Sequence, residues 1–152
     1  KHSWVLFVSL VCPHFPLISP PELFDLYPPK TMPLPRDHPE NGIERHPWID
    51  AQAKCQLYDQ FFTDETRRIA ISSYFGLCTF LDQNVGKILR ALDSSGESSK
   101  TRVIYTSDHG DNLGARGLWG KSNMYEESVG IPLITAGPDI PKSKKLKPRS
   151  HC

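Results

Sequence analysis

The residues best able to do chemistry in this 152-residue chain are Asp108, His109 and Lys121. Asp108 and His109 stand side by side directly after the apolar run Val103 to Thr106. An adjacent carboxylate and imidazole can bind a divalent cation, the first supplying charge and the second a directional lone pair. Lys121 follows Gly114, Gly117 and Gly120, a spacing that lets the loop fold back and present an ammonium to an anion held there. His14 sits in Cys12-Pro13-His14-Phe15-Pro16, at the end of a second apolar run. On its residues alone His14 reads as an ordinary loop histidine.

Such groups need a scaffold. Val103 to Thr106 reads as a short strand buried on both faces, and in open α/β sheets ligands gather outside the carboxyl ends of such strands, where Asp108 and His109 stand. Gly110 then lets the chain turn away. Trp4 to Val11 reads as another buried strand. Pro13, His14 and Pro16 occupy the place where a signal peptide would need small residues, and the run is too short to span a bilayer. Ten of the fourteen prolines fall between Pro13 and Pro47, which predicts an irregular, rigid loop. His38 and His46 lie there with no recognisable metal spacing, so they are expected to be solvated.

Thr63 to Thr66 supplies cap and first-turn acid chemistry for a helix in which Asp64 can pair with Arg68, and Gly96 closes the far end. Tyr74, Leu77, Phe80, Leu81, Val85, Ile88, Leu89 and Leu92 recur at helical spacing and predict one apolar stripe docked on a sheet. Asn123 with Glu126 reads as a capping box for a short helix, Glu126 and Glu127 take cap and surface roles, and Ile131 to Ala136 is a further strand ended by Gly137-Pro138. Strand, long loop, helix and strand in this order make an α/β fold with a mainly parallel sheet flanked by helices.

Composition narrows the partners. Lys+Arg 18 against Asp+Glu 17 gives a net charge of +1, so no whole-molecule field points to nucleic acid, and no segment calls for a membrane. Cys12, Cys55, Cys78 and Cys152 show neither C-x-x-C spacing nor the density of a disulfide scaffold, and read as reduced or buried thiols. The basic end from Lys142 to Cys152 reads as a disordered tail.

The stretch S-D-H-G-D-N-L-G-A-R-G-L-W-G-K-S-N-M-Y-E-E-S-V-G-I-P-L-I, beginning at Ser107, resembles the metal-binding and lysine segment of the sulfatase family, within the alkaline-phosphatase superfamily. It is most similar to bacterial choline-sulfatase-like and arylsulfatase-like members. C-P-H-F-P-L-I-S-P-P-E-L-F-D-L-Y, from Cys12 to Tyr27, is similar to the family's P-H-x-P turn and following segment. The resemblance implies an alkaline-phosphatase-like sandwich and hydrolysis of a small-molecule sulfate monoester. Asp108 and His109 would be metal ligands, usually to calcium and in some phosphonate-ester relatives to manganese. Lys121 would hold the sulfate, and His14 would contact it and protonate the departing oxygen.

The same resemblance exposes departures. Family members use a formylglycine nucleophile made within C/S-x-P-S/A-R and a pair of aspartates that completes the metal site; neither motif occurs in this sequence. Residues 1–141 therefore read as a partial sulfatase catalytic domain that is inactive and marginally stable alone. Phosphonate monoester or phosphodiester hydrolysis is the alternative within the superfamily, and a binding remnant the alternative outside catalysis. For a choline ester, Trp48, Trp119 and Tyr27 are the candidates to face a quaternary ammonium.

Overall fold

The computed structural model describes residues 2–55 and 59–145. Its longest element is the predicted helix, Asp64–Ser94, numbered α3 after α1 (Pro21–Phe24) and α2 (Pro47–Cys55). Thr63 and Thr66 cap it reciprocally: the Thr66 N–H donates to the Thr63 hydroxyl oxygen, and the Thr63 N–H donates to that of Thr66. Asp64 and Glu65 add negative charge at the positive end of the helix dipole. Gly96, at φ +76°, turns the chain away at the other end.

Of the apolar stripe expected along α3 only Leu77 is buried, joined by Ile71 outside it, whereas the remaining stripe residues are partly exposed and Leu89 clearly so. The closest packing is made instead by small residues. Ser73 and Gly76 face Ser19 and the α1 segment, and a Cβ at Gly76 would come within 2.7 Å of Ser19 Oγ. Leu23 of α1 is buried in this contact zone, and Tyr27 closes it with a 2.7 Å hydrogen bond between its hydroxyl and Thr79 Oγ1.

Arg67 is the other surprise of the first half of α3. It is 4% exposed and donates to Asp64 (2.9 Å), Asp59 (3.0 Å) and Glu40 (3.3 Å). Asp64 thus pairs three residues along with Arg67, not with Arg68, because the polar loop folds onto the Arg67 face. His38, expected in solvent, is buried with Nε2 2.7 Å from Asp59 Oδ2. Burial opposes the ionisation of Asp59, but hydrogen bonds from Arg67, Trp119 and His38 outweigh it and hold the carboxyl below its usual range.

Two strands form where the apolar runs predict them: β1 (Val103–Thr106) and β2 (Leu133–Ala136). They pair antiparallel, Val103 opposite Ala136 and Thr106 opposite Leu133, so the parallel arrangement expected for consecutive strands does not hold for this pair. The reason lies in the connection. Residues 107–132 are spent on the glycine loop and the four-residue α4 (Glu126–Val129), not on a crossover helix packed on the sheet, and the chain re-enters beside the end where β1 finishes. Burial of β1 on both faces is also overturned, with Ile104 68% exposed and every β2 residue exposed. Trp4 to Val11 joins no ladder among the described residues, and Val5 and Phe7 project into solvent. A strand is sustained by its neighbour's hydrogen bonds and by a covering layer, and these residues meet neither.

The proline-rich segment is irregular as expected, but built of short turns. Single 3₁₀ turns occur at Pro29–Thr31 and Pro39–Asn41, and α1 and α2 each begin on a proline. No helix among the described residues is long and apolar enough to cross a membrane. Cys12, Cys55 and Cys78 are free thiols, and residues 146–152 of the basic end lie outside the described residues.

Candidate active site

The loop from Gly110 to Lys121 is held by its own polar residues before any neighbour is considered. Asp111 Oδ1 accepts from the Leu113 and Gly120 amides (2.9 and 3.1 Å), and the Gly120 carbonyl accepts from the Asn112 backbone and side-chain nitrogens. Gly114, Gly117 and Gly120 all lie at positive φ, and at Gly114 a side chain would also strike Pro35 and Trp119. The predicted fold-back is therefore real, and Asp111 and Asn112 lock it one residue before Lys121. Both were missed as contributors, although an Asp-Asn pair ahead of glycines is the local signal for side-chain-to-backbone turns.

Neighbouring segments fix the loop from outside. Arg116, at φ +56°, donates to Glu127 (2.8 Å) and Asp37 (3.2 Å) and stacks 4.0 Å over the Tyr125 ring. Glu127 is thereby largely buried and ion-paired rather than a surface residue; burial opposes its ionisation, but its own backbone N–H and Arg116 keep it below the usual range. Trp119 donates from Nε1 to Asp59 Oδ1 (2.8 Å) and stacks on Phe62 at 4.6 Å. Gly110 serves a close approach more than a turn, since a Cβ there would lie 2.1 Å from the Glu127 carbonyl oxygen. The expected capping box of α4 is not formed. Asn123 Oδ1 accepts instead from the Tyr125 N–H, one residue short of the helix.

Across this frame the four candidate residues meet. Lys121 Nζ lies 2.5 Å from His14 Nε2, joining positions 107 residues apart in the chain. His14 Nδ1 lies 2.8 Å from the Phe15 carbonyl oxygen, which can only accept, so Nδ1 carries the proton and Nε2 is free to accept from the lysine. The His14 and His109 rings are 5.9 Å apart, edge to face. His109 repeats the pattern: Nδ1 donates to the Gly110 carbonyl at 2.7 Å, leaving the Nε2 lone pair outward and 3.5 Å from Asp108 Oδ2. Asp108 is exposed, and hydrogen bonds, first from its own backbone N–H and then from that of His109, hold its carboxyl below the usual range.

A solvent-facing carboxylate that stays ionised and an imidazole with a fixed tautomer are the donor chemistry a divalent ion takes. They fit two positions of its shell. Among the described residues no group of three or more His, Cys, Asp or Glu side chains is arranged to hold a metal, and calcium takes six to eight ligands. His38 and His46 add nothing to it, one being engaged with Asp59 and the other accepting from the Trp48 N–H.

The family model described as Sulfatase matches residues 1–152. The chain belongs to the sulfatase family. Choline-sulfatase of Rhizobium meliloti is 32% identical over 157 aligned residues, covering 99% of this chain and 30% of that protein. Human iduronate 2-sulfatase is 33% identical over 135 residues, 80% of this chain and 24% of its own length. Among solved structures, a phosphonate monoester hydrolase from Silicibacter pomeroyi superposes with a TM-score of 0.74 at 31% identity, covering 84% of this chain and 27% of that one. These likenesses give the sulfatase chain an α/β, alkaline-phosphatase-like fold class. It spans about a third or less of the length of the relatives it matches.

Proposed function

We propose that this chain carries the leaving-group half of a sulfatase active site and takes part in hydrolysis of sulfate monoesters. The observation that supports this best is the Lys121 to His14 contact, made between two segments that both resemble the family. Lys121 would bring a compact positive charge against a sulfate oxygen, and His14 Nε2, which accepts from that ammonium here, would first take a proton from the ammonium or from solvent and then pass it to the ester oxygen as the bond to sulfur breaks. Asp108 and His109 would supply two ligands to a divalent ion, calcium in the first instance and manganese as the alternative, which when bound would polarise the sulfate oxygens. The nucleophile motif and the paired aspartates are not in this sequence, so attack on sulfur is assigned to no residue here. In this reading residues 1–141 are part of a catalytic domain, and Trp4 to Val11 with β1 belong to a mainly parallel sheet completed by further strands.

The phosphonate-ester reading is favoured by one observation, the 0.74 likeness to a phosphonate monoester hydrolase. One assay tests the half-site reading. Purified chain, with calcium or manganese, is given an aryl sulfate and an aryl phosphonate monoester beside a Lys121→Ala control. The expected result is no turnover above the control, while inorganic sulfate binds the native chain and not Lys121→Ala. Turnover that Lys121→Ala abolishes would overturn the half-site reading, and the preferred ester would decide between the two substrates.

A further inference from the structure

The glycine loop fixes the backbone of Lys121 but not its ammonium. Asp111 accepts from the Gly120 N–H at 3.1 Å, Asn112 donates from Nδ2 to the Gly120 carbonyl at 2.6 Å, and Gln52 of α2 donates to the Lys121 carbonyl at 3.4 Å, so three successive peptide groups are held by side chains. Beyond the backbone, a lysine carries its charge on a long flexible stem that settles only where something receives it.

Two rings from one turn receive it. Lys121 Nζ lies 2.5 Å from His14 Nε2 and over the face of Phe15, 5.4 Å from the ring centroid. The Phe15 ring stands 4.3 Å from the His14 ring, and its Cε1 would be 3.9 Å from a Cβ at Gly120, so it packs beside both the imidazole and the loop that carries the lysine. Through its carbonyl Phe15 also accepts from His14 Nδ1 at 2.8 Å. One residue thus fixes the imidazole tautomer with its backbone and meets the ammonium with its side chain. Among the described residues no carboxylate lies within ion-pair reach of Lys121, although the same loop pairs Arg116 with both Glu127 and Asp37.

The chemistry of these partners decides what the ammonium can do next. A carboxylate in place of the ring would neutralise the charge and take N–H groups that an incoming anion needs. An aromatic face attracts the cation through its quadrupole and brings no net charge. An ammonium has three donors, and His14 engages one of them. We propose that Phe15 is a positioning residue for Lys121, its ring holding the ammonium beside His14 while leaving the charge and the remaining donors to the anionic group of the ester. The inference rests on the sulfate-ester reading for the identity of the anion, but the contact between ring and ammonium stands on its own geometry. Phe15 is 53% exposed, so replacing its ring removes little core packing.

The test uses the full chain ¹³C-labelled at lysine Cε, the Lys121 Hε signal being the one lost in Lys121→Arg. In the native chain that signal is expected upfield of the other lysines, shielded by the ring face, and Phe15→Tyr should keep it there. In Phe15→Leu, which retains an apolar side chain and the backbone carbonyl, it should fall back among the others. Inorganic sulfate, titrated against each chain, should bind Phe15→Leu about threefold more weakly, the scale of one cation–π contact at an exposed site, and bind Phe15→Tyr as it binds the native chain. A native Lys121 signal at the ordinary lysine position overturns the proposal whatever the variants do. So does sulfate binding that Phe15→Leu leaves unchanged or tightens, or that Phe15→Tyr and Phe15→Leu weaken equally. If no chain binds sulfate while the Lys121 signal is upfield and returns in Phe15→Leu, the sulfate reading falls and the ring still positions the lysine.

Discussion

The first half of α3 and the two-stranded sheet use their side chains in opposite ways. Around Arg67 a cation, three carboxylates, an imidazole and an indole are packed against one another, and the helix face beside them is trimmed to Ser73 and Gly76 so that α1 can approach. In the sheet, Ile104, Leu133 and Ile134 are 59 to 73% exposed. Arg67, His38 and Asp59 are inside while the apolar side chains of the sheet are outside, the reverse of what hydropathy alone would assign to them. The difference follows from what each region has to pack against. The helix and the proline-rich loop are both in this chain, whereas nothing among the described residues covers the sheet.

The comparison breaks most readily at Arg67. Replacing it with methionine should cost about 3 kcal/mol, because Asp59 would stay in a site without its cation while Trp119 and the loop ahead of Lys121 lose their anchor. The same replacement at Arg102, whose pair with Asp139 is exposed on both sides, should stay within about 0.5 kcal/mol. Urea unfolding midpoints of the two variants measure the gap, and equal losses would mean the buried network contributes nothing special. Acid tests the network independently. The Asp59 carboxyl is held below its ordinary 3.8, so its contribution is complete above that pH and is lost as pH falls through the lower folded value. The native chain should lose stability across that acid window more steeply than Arg67→Met.

These two regions also mark how far the sequence can be read. Local chemistry was legible: the Thr63 cap, the position of β1 and the glycine loop that carries Lys121 all follow from nearest-neighbour pattern, whereas His14 was singled out only by the family resemblance. Contacts between distant polar residues were not. His38 and Asp59 meet only because the loop folds back onto α3, and no spacing in a one-dimensional string distinguishes that histidine from a solvated one. Burial of the sheet failed for a different reason. A β-branched run states that a strand wants cover, not whether cover is present, and Trp4 to Val11 shows the same limit. At the site, the residues pointed to Asp108, His109 and Lys121 and the family resemblance added His14, but neither pointed to Asp111 and Asn112 that lock the loop.

The packing half of the comparison sharpens on two glycines of the same helix. Gly76→Ala should destabilise by about 1–3 kcal/mol, since its Cβ would lie 2.7 Å from Ser19 Oγ and 2.9 Å from Ser19 Cβ, and the backbone of Leu23 is close behind. Gly86→Ala should stabilise by about 0.5–1 kcal/mol, because its Cβ would meet only the mobile end of Arg90, at 3.2 Å, while gaining helix propensity. Thermal unfolding of both variants reads opposite signs if α1 is held against the first half of α3 in solution. Two stabilising results would place α1 elsewhere.

The smallest effect is expected where the hydrophobicity is greatest. Ile104→Thr keeps a β-branched side chain in β1 and sets it opposite Thr135, a cross-strand pair that antiparallel ladders accept. Since Ile104 is 68% exposed, little buried apolar area is lost, and unfolding free energy should change by no more than about 0.5 kcal/mol. What should change is association, because an open apolar sheet is a surface on which other chains collect. Sedimentation of native and Ile104→Thr chains over a range of concentrations reads this directly, with the variant expected to stay monomeric further up. A loss well beyond 0.5 kcal/mol that grows with protein concentration would show that the sheet face is covered by another copy in solution, and the contrast with Arg67 would then be one of partner rather than of exposure.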